Sequence, residues 1–252
     1  MSTLAVGIDI GGTGIKGALV DVKHGELVGD RVKVPTPDGG DPDAVLAAVA
    51  SMVDEMGRDA EGVPVGVCFP AIVHHGRTMS AANVSKRWIG LEAEKLFEAA
   101  LDRGIHFVND ADAAGVAEAK FGAAKGVDGL VIVTTLGTGI GSAFLYDGVL
   151  IPNSELGHLQ ISGRDAEHLA AYSVKEREEL DWATWAERLQ TFYGTVEFLF
   201  SPDLFIVGGG VSKNHEEYLP LLQLATPIVP AELRNNAGIL GAAWLAARHS
   251  GS

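Results

Sequence analysis

Leu4-Ala5-Val6-Gly7-Ile8-Asp9-Ile10-Gly11-Gly12-Thr13-Gly14-Ile15-Lys16-Gly17-Ala18 joins two apolar runs through a glycine-rich turn. β-branched residues recur in both runs and glycines punctuate them, so the stretch reads as a hairpin. The pattern then returns. Gly12-Thr13-Gly14-Ile15 recurs as Gly137-Thr138-Gly139-Ile140, and Ala18 recurs as Ala143 at the same spacing. Each copy follows one apolar strand and opens another, which points to a duplicated α/β unit rather than chance in a glycine-rich chain.

Working outward, Leu4 to Ile10, Ile15 to Asp21 and Leu27 to Val34 predict a three-stranded meander. Pro35, Pro37 and Pro42 make a loop, after which Asp41 or Asp43 caps a helix carrying Val45, Leu46, Val49, Met52, Val53 and Met56 on one face. Val63 to Phe69 reads as a buried strand, Leu91 to Leu101 as a helix, and Ile105 to Val108 as a strand ending at Asn109-Asp110. The spacing predicts a helix from Asp112 to Phe121, with Asp112 at a position that suits its N-cap. Strands are expected again over Leu130 to Leu136, Ile140 to Tyr146 and Val149 to Ile151. A helix over Trp182 to Phe200, a strand over Leu204 to Val207 and an alanine-rich helix over Ala237 to Arg248 complete the pattern. No low-complexity linker separates the two halves, so they are expected to pack around a cleft.

The 252 residues, 47% of them hydrophobic, suffice for one large domain or two small ones. A net charge of −14 argues against nucleic acid or an anionic membrane as partner, and obliges a polyanionic ligand to find a local basic patch. Cys68 is the single cysteine and lies in the apolar run Val65 to Phe69, which rules out an intramolecular disulfide or a cysteine zinc cluster and suits a buried core thiol. The N-terminus lacks a basic segment followed by an apolar one, and no window approaches the ~18 apolar residues of a membrane span. The expectation is a soluble, cytoplasmic protein.

Chemistry concentrates at four places. A glycine-rich turn lets backbone N–H groups converge on an anion, and two such turns could hold successive phosphates. Thr13 and Thr138 add hydroxyl donors, Lys16 a cation, and Asp9 a carboxylate able to orient hydrated Mg²⁺. Either turn alone reads sooner as an ordinary hairpin; the pair, with Asp9 and Lys16 beside the first, favours phosphate. Neither is a P-loop, which needs Gly-Lys-Ser/Thr opening a helix. Asp110, at a strand end, is the candidate base for accepting a hydroxyl proton. Asp112 is its acidic neighbour, and a merely polar turn is the competing reading. Glu155, Gly157 and His158 could accept from and donate to adjacent sugar hydroxyls. A metal site is disfavoured by the want of cysteines, and a solvated loop stays open. Gly208-Gly209-Gly210 after a strand could admit a flat or extended ligand. His74-His75 is assigned to an exposed turn, and Lys16, Lys86, Arg87 and Lys213 are candidate cations whose competing role is surface solvation.

Taken in order, Leu4 to Val20, Asn109 to Ala114, Leu136 to Gly141, Glu155 to His158 and Ile206 to Gly210 resemble the ROK (repressor, open reading frame, kinase) family of the actin-like sugar kinases. The resemblance implies a sugar kinase with an actin-like (ribonuclease H-like) duplicated fold, two domains around a central cleft, and a homodimer. Residues 1–110 with about 237–252 would form the smaller N-terminal domain and 111–236 the larger one. It implies Asp110 as catalytic base, and Asn83, Asn109, Asp110, Glu155, His158 and Glu167 on the sugar. It also implies Asp9, Gly11, Gly12, Thr13, Gly14, Lys16, Thr135, Gly137, Thr138, Gly139, Gly209 and Gly210 on the phosphate donor. Mg²⁺ is the implied cofactor, held by Asp9 through water.

Typical members carry a zinc-binding cysteine cluster after the Glu-x-Gly-His motif. Here Gly163-Arg164-Asp165-Ala166 stands instead, so no zinc site is expected, and Glu167 is the counterpart of a glutamate that binds the sugar's anomeric hydroxyl. The missing cluster, the short chain, Ala82 to Trp88 and Thr226 to Pro230 are similar to a polyphosphate-using branch of the family in actinobacteria. That branch implies glucose, with mannose second, as acceptor, and inorganic polyphosphate, with ATP second, as donor. A strictly ATP-dependent glucokinase is the near alternative, and a non-catalytic sugar-binding regulator the alternative of another class. A repressor would place a DNA-binding domain ahead of Asp9-Ile10-Gly11-Gly12, which here begins close to residue one.

Overall fold

The computed structural model describes residues 3–249. The chain divides into two compact units, Met1–Ala117 with Asn236–Ser252, and Glu118–Asn235. Of the C-terminal segment expected in the first domain, residues 250–252 lie outside the described residues.

The first unit begins with β1 (Leu4–Ile10), β2 (Gly14–Asp21) and β3 (Glu26–Pro35), the meander expected from the alternation of apolar runs and turns. Helix α1 (Pro42–Glu55) has Asp41 at its N-cap position and buries Val45, Val49, Met52 and Val53, the one-sided set its 3.6-residue spacing predicts. Next come β4 (Val65–Phe69) and the two-residue strands β5 (Val73–His74) and β6 (Arg77–Thr78), whose turn carries the exposed His75. Helix α2 (Ala93–Leu101), β7 (Ile105–Asn109) and α3 (Asp110–Phe121) follow. The sheet order is β3-β2-β1-β4-β7; β4 and β7 lie parallel to β1, while β2 and β3 alternate. Five residues of continuous burial in β4 fit a strand covered on both faces. One face holds a core of Ile8, Val67, Phe69, Trp88, Phe97 and Phe107, with the Trp88 and Phe97 rings stacked at 5.8 Å.

The last helix of the chain packs on this same sheet. Beyond β14 (Ile228–Pro230), the last strand, the chain enters that helix (Ala237–His249), whose interior is almost wholly Ala, Gly and Leu. Small residues allow close approach: a β-carbon at Gly66 would collide with the Ala242 carbonyl, and one at Gly241 with the Ala113 carbonyl. The alanine-rich composition is therefore a packing requirement, not only a helix preference.

In the second unit, β8 (Leu130–Leu136), β9 (Ile140–Tyr146) and β10 (Val149–Ile151) repeat the meander. The hairpin β11 (Gln160–Ile161) and β12 (Arg164–Asp165) leads into α4 (Glu167–Ala170), α5 (Tyr172–Arg177), α6 (Trp182–Phe200) and β13 (Leu204–Gly208). Counting on, the chain's last helix is α7. The sheet order is β10-β9-β8-β13-β14, with β13 parallel to β8 and β14 parallel to β13. Position for position this is the order and direction pattern of the first sheet. The duplication signalled by four residues thus extends to the whole strand topology, the ribonuclease H-like half of an actin-like fold. Trp185, Leu189, Phe192, Tyr193 and Phe205 fill the core, and the Tyr193 hydroxyl meets Thr134 Oγ1 at 2.6 Å.

Two local expectations are corrected. The helix after β7 starts at Asp110, and its cap is Asn109, whose Oδ1 accepts from the Asp112 amide at 2.9 Å. Asp112 is inside the helix and buried, so it does not cap it. The segment between Ile161 and Trp182 carries α4 and α5, which the short apolar spacings there did not reveal.

Candidate active site

In the first unit, β1, β4 and β7 are parallel, so their carboxyl ends share one sheet edge. That is where open α/β sheets present ligand groups. Asp9 pairs with Cys68 in register, and Cys68 with Val108, one residue before Asn109. The Asp9 carboxylate therefore stands near the start of α3, where Asp110 sits. Cys68 registers both acids: burial first, then the charges of Asp9 and Asp110, pushes its thiol well above the ordinary range. It is an inert core thiol that donates to Asp9 Oδ1 at 3.6 Å.

Across the β1–β2 ladder Asp9 faces Lys16, whose Nζ lies 3.3 Å from Asp9 Oδ2. One carboxylate of hard oxygen, half-buried and shared with a single ammonium, fits a hydrated Mg²⁺ that takes few direct protein ligands. The turn between the strands closes with Gly11 N–H donating to Gly14 C=O at 3.0 Å, and Thr36 Oγ1 donates to the Gly11 carbonyl at 2.5 Å. The amides of Gly12 and Thr13 have no hydrogen-bond partner among the described residues. Asn83, left-handed at φ 59°, packs against this turn: a β-carbon on Gly12 would lie 2.7 Å from Asn83 Cβ. Asn109 is buried, donating to the Ala71 carbonyl at 3.0 Å while its Oδ1 caps α3, which fixes the amide and uses one of its two N–H donors. Asp110 is half-buried and its Oδ1 accepts from the Ala111 amide at 2.8 Å.

In the second unit the turn after β8 is pinned by α5: Ser173 donates from its amide to the Gly137 carbonyl at 3.0 Å and from its hydroxyl to the Thr138 carbonyl at 2.6 Å. The amides of Thr138 and Gly139 again have no partner among the described residues. Thr135 is half-buried near the end of β8. Gly209 follows β13 at φ 84°, pressed on the Leu136 backbone, so its glycine is required by packing, while Gly210 is open. The expected sugar residues Glu155, His158 and Glu167 converge in this unit. Glu167 Oε2 accepts from the Ile140 amide at 3.3 Å and fills the space a side chain at Gly139 would need, which ties it to the second glycine turn. Burial raises the Glu155 carboxyl, with Glu167 adding to the shift and His158 opposing it. A hydrogen bond to Asp165 raises the His158 ring above its ordinary value, with lesser support from Glu167 and Glu155.

Among the described residues, His158, Asp165 and Glu167 bring one ligand atom each within 4.8 Å of one another. Asp165 and Gly238 are the neighbours that sequence reading missed. Asp165 reaches His158 through a hairpin, and Gly238 reaches Asp9 from the far end of the chain, so neither carries a local signal. Of the candidate cations, Lys86 donates to the Ala81 carbonyl at 2.6 Å and Arg87 lies 3.6 Å from Asp41, while Lys213 is exposed.

The ROK family profile matches residues 5–171. A polyphosphate glucokinase of Mycobacterium tuberculosis is 47% identical over 238 residues, spanning 94% of this chain and 89% of its own. The crystal structure of the inorganic polyphosphate/ATP-glucomannokinase of Arthrobacter sp. strain KM superimposes with a TM-score of 0.94 at 55% identity, covering 98% of this chain and 100% of that one. A ROK glucokinase from Streptomyces griseus, solved with glucose and AMPPNP, shares the fold at a TM-score of 0.83 and 23% identity, over 97% of this chain and 99% of its own. With its duplicated sheets, paired glycine turns and this breadth of similarity, the chain belongs to the ROK family.

Proposed function

We propose that the protein transfers the terminal phosphoryl group of inorganic polyphosphate, with ATP as second donor, to the 6-hydroxyl of glucose, with mannose as second acceptor. The observation that carries the reading is similarity across almost the entire chain to two proteins named for polyphosphate, at 47% and 55% identity. The chemistry of the residues supports it. Glu155, His158 and Glu167 offer a carboxylate–imidazole–carboxylate set suited to adjacent sugar hydroxyls, with Asn83 and Asn109 as further contacts. Two turns with unused amides suit successive phosphates, and a phosphate chain has no base or ribose to read.

Asp110 accepts the proton of the sugar hydroxyl as its oxygen bonds to phosphorus, and the phosphorus–oxygen bond to the shortened chain breaks. Asp9 would hold hydrated Mg²⁺, which supplies neutralisation of the donor's charge. Lys16 and the amides of Gly12, Thr13, Thr138 and Gly139 orient the transferred group, with Gly11, Gly14, Thr135, Gly137, Gly209 and Gly210 lining the donor path. The protein works as a homodimer, a reading supported by the exposed Phe198 and Val149 of the second unit, 87% and 68% accessible. Among the described residues no helix is long and apolar enough to cross a membrane.

The deciding experiment supplies glucose with nucleotide-free polyphosphate or with ATP in separate reactions. Glucose 6-phosphate from polyphosphate is the expected result. Product from ATP alone removes the donor, and product from neither removes the kinase.

A further inference from the structure

His158 ends a short turn, and the chain then doubles back through the β11–β12 hairpin. Its two-residue loop is Ser162-Gly163, with φ 52° and 75°, a left-handed pair that gives a tight turn matched to strand twist. The hairpin returns Asp165 opposite Gln160 and beside the imidazole. Asp165 Oδ2 lies 2.9 Å from His158 Nδ1, and its other oxygen accepts from Gln160 Nε2. Behind the hairpin the Ala166 amide donates to the Leu159 carbonyl at 2.9 Å, and Glu167 is anchored on Ile140. The carboxylate is thus held from two directions, neither of them a ligand.

An ionised carboxylate only accepts, so Nδ1 must carry the hydrogen. His158 and Gln160 both hold the Asp165 carboxyl below its ordinary range, which keeps it in that accepting form. The other ring nitrogen, Nε2, has no hydrogen-bond partner among the described residues. A ring more than half exposed would otherwise rotate and interchange tautomers freely.

We propose that Asp165 is a positioning residue for sugar recognition. By accepting from Nδ1–H it fixes the tautomer and orientation of His158, so that Nε2 is held toward the sugar, an acceptor in the neutral ring and a donor in the imidazolium. A carboxylate behind an imidazole sets ring tautomer in this way wherever the front nitrogen must be defined. The inference rests on the reading that His158 touches the sugar.

The test compares His158→Ala, Asp165→Ala and Asp165→Asn in glucose and donor kinetics, together with long-range ¹H–¹⁵N spectra of the histidine rings. Asp165→Ala should raise the glucose KM on the order of tenfold with little change in the donor KM, and should lose the Nδ1–H signature of His158. Asp165→Asn, whose amide oxygen still accepts, should keep the tautomer and restore most of the glucose KM. A role confined to folding of the hairpin would move neither tautomer nor the glucose-against-donor split. Impairment in His158→Ala without any in Asp165→Ala overturns the positioning role alone. An unchanged glucose KM in His158→Ala overturns the sugar reading of this loop and the proposal with it. Stoichiometric binding of Zn²⁺ by calorimetry, abolished in Asp165→Ala, would overturn it in favour of a metal centre. Should Asp165→Ala fail to fold, the isosteric Asp165→Asn and the wild-type spectrum still decide the tautomer.

Discussion

Gly238→Ala isolates the position of Asp9 from the stability of the fold. Gly238 is the second residue of α7, and a β-carbon there would lie 3.0 Å from Asp9 Cγ, 3.3 Å from Asp9 Oδ1 and 3.2 Å from Cys68 Sγ. Carbon atoms prefer separations of about 3.5–4.0 Å, so the Asp9 carboxylate must retreat by roughly half an ångström. Alanine gains up to ~1 kcal/mol over glycine within a helix, less in its first turn, and mild overpacking costs about 1 kcal/mol. The two nearly cancel, and the melting temperature should stay within roughly 4 °C of wild type. Activity should not be spared. If a misplacement of about 1 Å costs on the order of 10²-fold, half of that costs roughly tenfold. The assay is kcat against Mg²⁺ concentration with saturating glucose. The expected result is about a tenfold fall in kcat or rise in the Mg²⁺ requirement, with the glucose KM unchanged. A variant that folds, melts like wild type and keeps both its rate and its Mg²⁺ dependence would refute the role assigned to Asp9.

Other substitutions test the remaining parts. Asp110→Asn should lower kcat by about 10²–10⁴-fold while glucose binding by calorimetry persists, and undiminished turnover would mean the base is another group. Gly66→Ala forces a β-carbon into the Ala242 carbonyl, so α7 must shift, at a cost of about 3 kcal/mol and a melting temperature lowered by roughly 6–12 °C. His106, stacked on His249 with ring centroids 4.1 Å apart, is lowered to about 4, by burial first and the charge of His249 second. Its depressed value means the unfolded chain binds the extra proton between pH 6.5 and about 4. Stability should therefore fall as pH drops through that window, by up to roughly 3 kcal/mol in all. Denaturant titrations of His106→Gln should show a flatter acid limb, and an unchanged limb would assign the acid sensitivity elsewhere.

The strands were legible because their information is local. Leu4 to Ile10 and Leu130 to Leu136 are apolar runs bounded by glycine turns, and both form strands over those same residues. The caps were legible only in part. Both Asn109 and Asp112 are good capping residues, and the choice fell to Asn109 because its amide also reaches the Ala71 carbonyl across the sheet. Helices α4 and α5 escaped because they are short, and because Ala170, Ala171 and Val174 are buried in a core shared with α6 rather than marked by a periodicity of their own. At the site, glycines and acids announced themselves by type. What positions them did not: Gly238 beside Asp9 and Asp165 beside His158 are products of topology, and no residue pattern marks either.

The repeat also shows how one backbone pattern came to carry different residues in its two copies. In the first unit Ile10 pairs with Ile15, leaving residues 11–14 between the paired positions; in the second Leu136 pairs with Ile140, leaving 137–139. The same Gly-Thr-Gly-Ile letters therefore close turns of different length, because a leucine in the second copy stands where the first has Gly11, and it joins the strand. The charges change with the register. Asp9 and Lys16 face each other beside the first turn, whereas the corresponding positions of the second copy are Thr134, buried on Tyr193, and Gly141. The second turn draws its charge instead from Glu167, delivered by the hairpin and α4. One copy thus keeps an acid–ammonium pair beside its free amides, the arrangement proposed above for a phosphate and a cation. The other replaces it with a neutral, packed strand and brings a carboxylate from outside, next to the residues assigned to the sugar. Duplication preserved the backbone cradle, and divergence of two strand positions divided its chemistry.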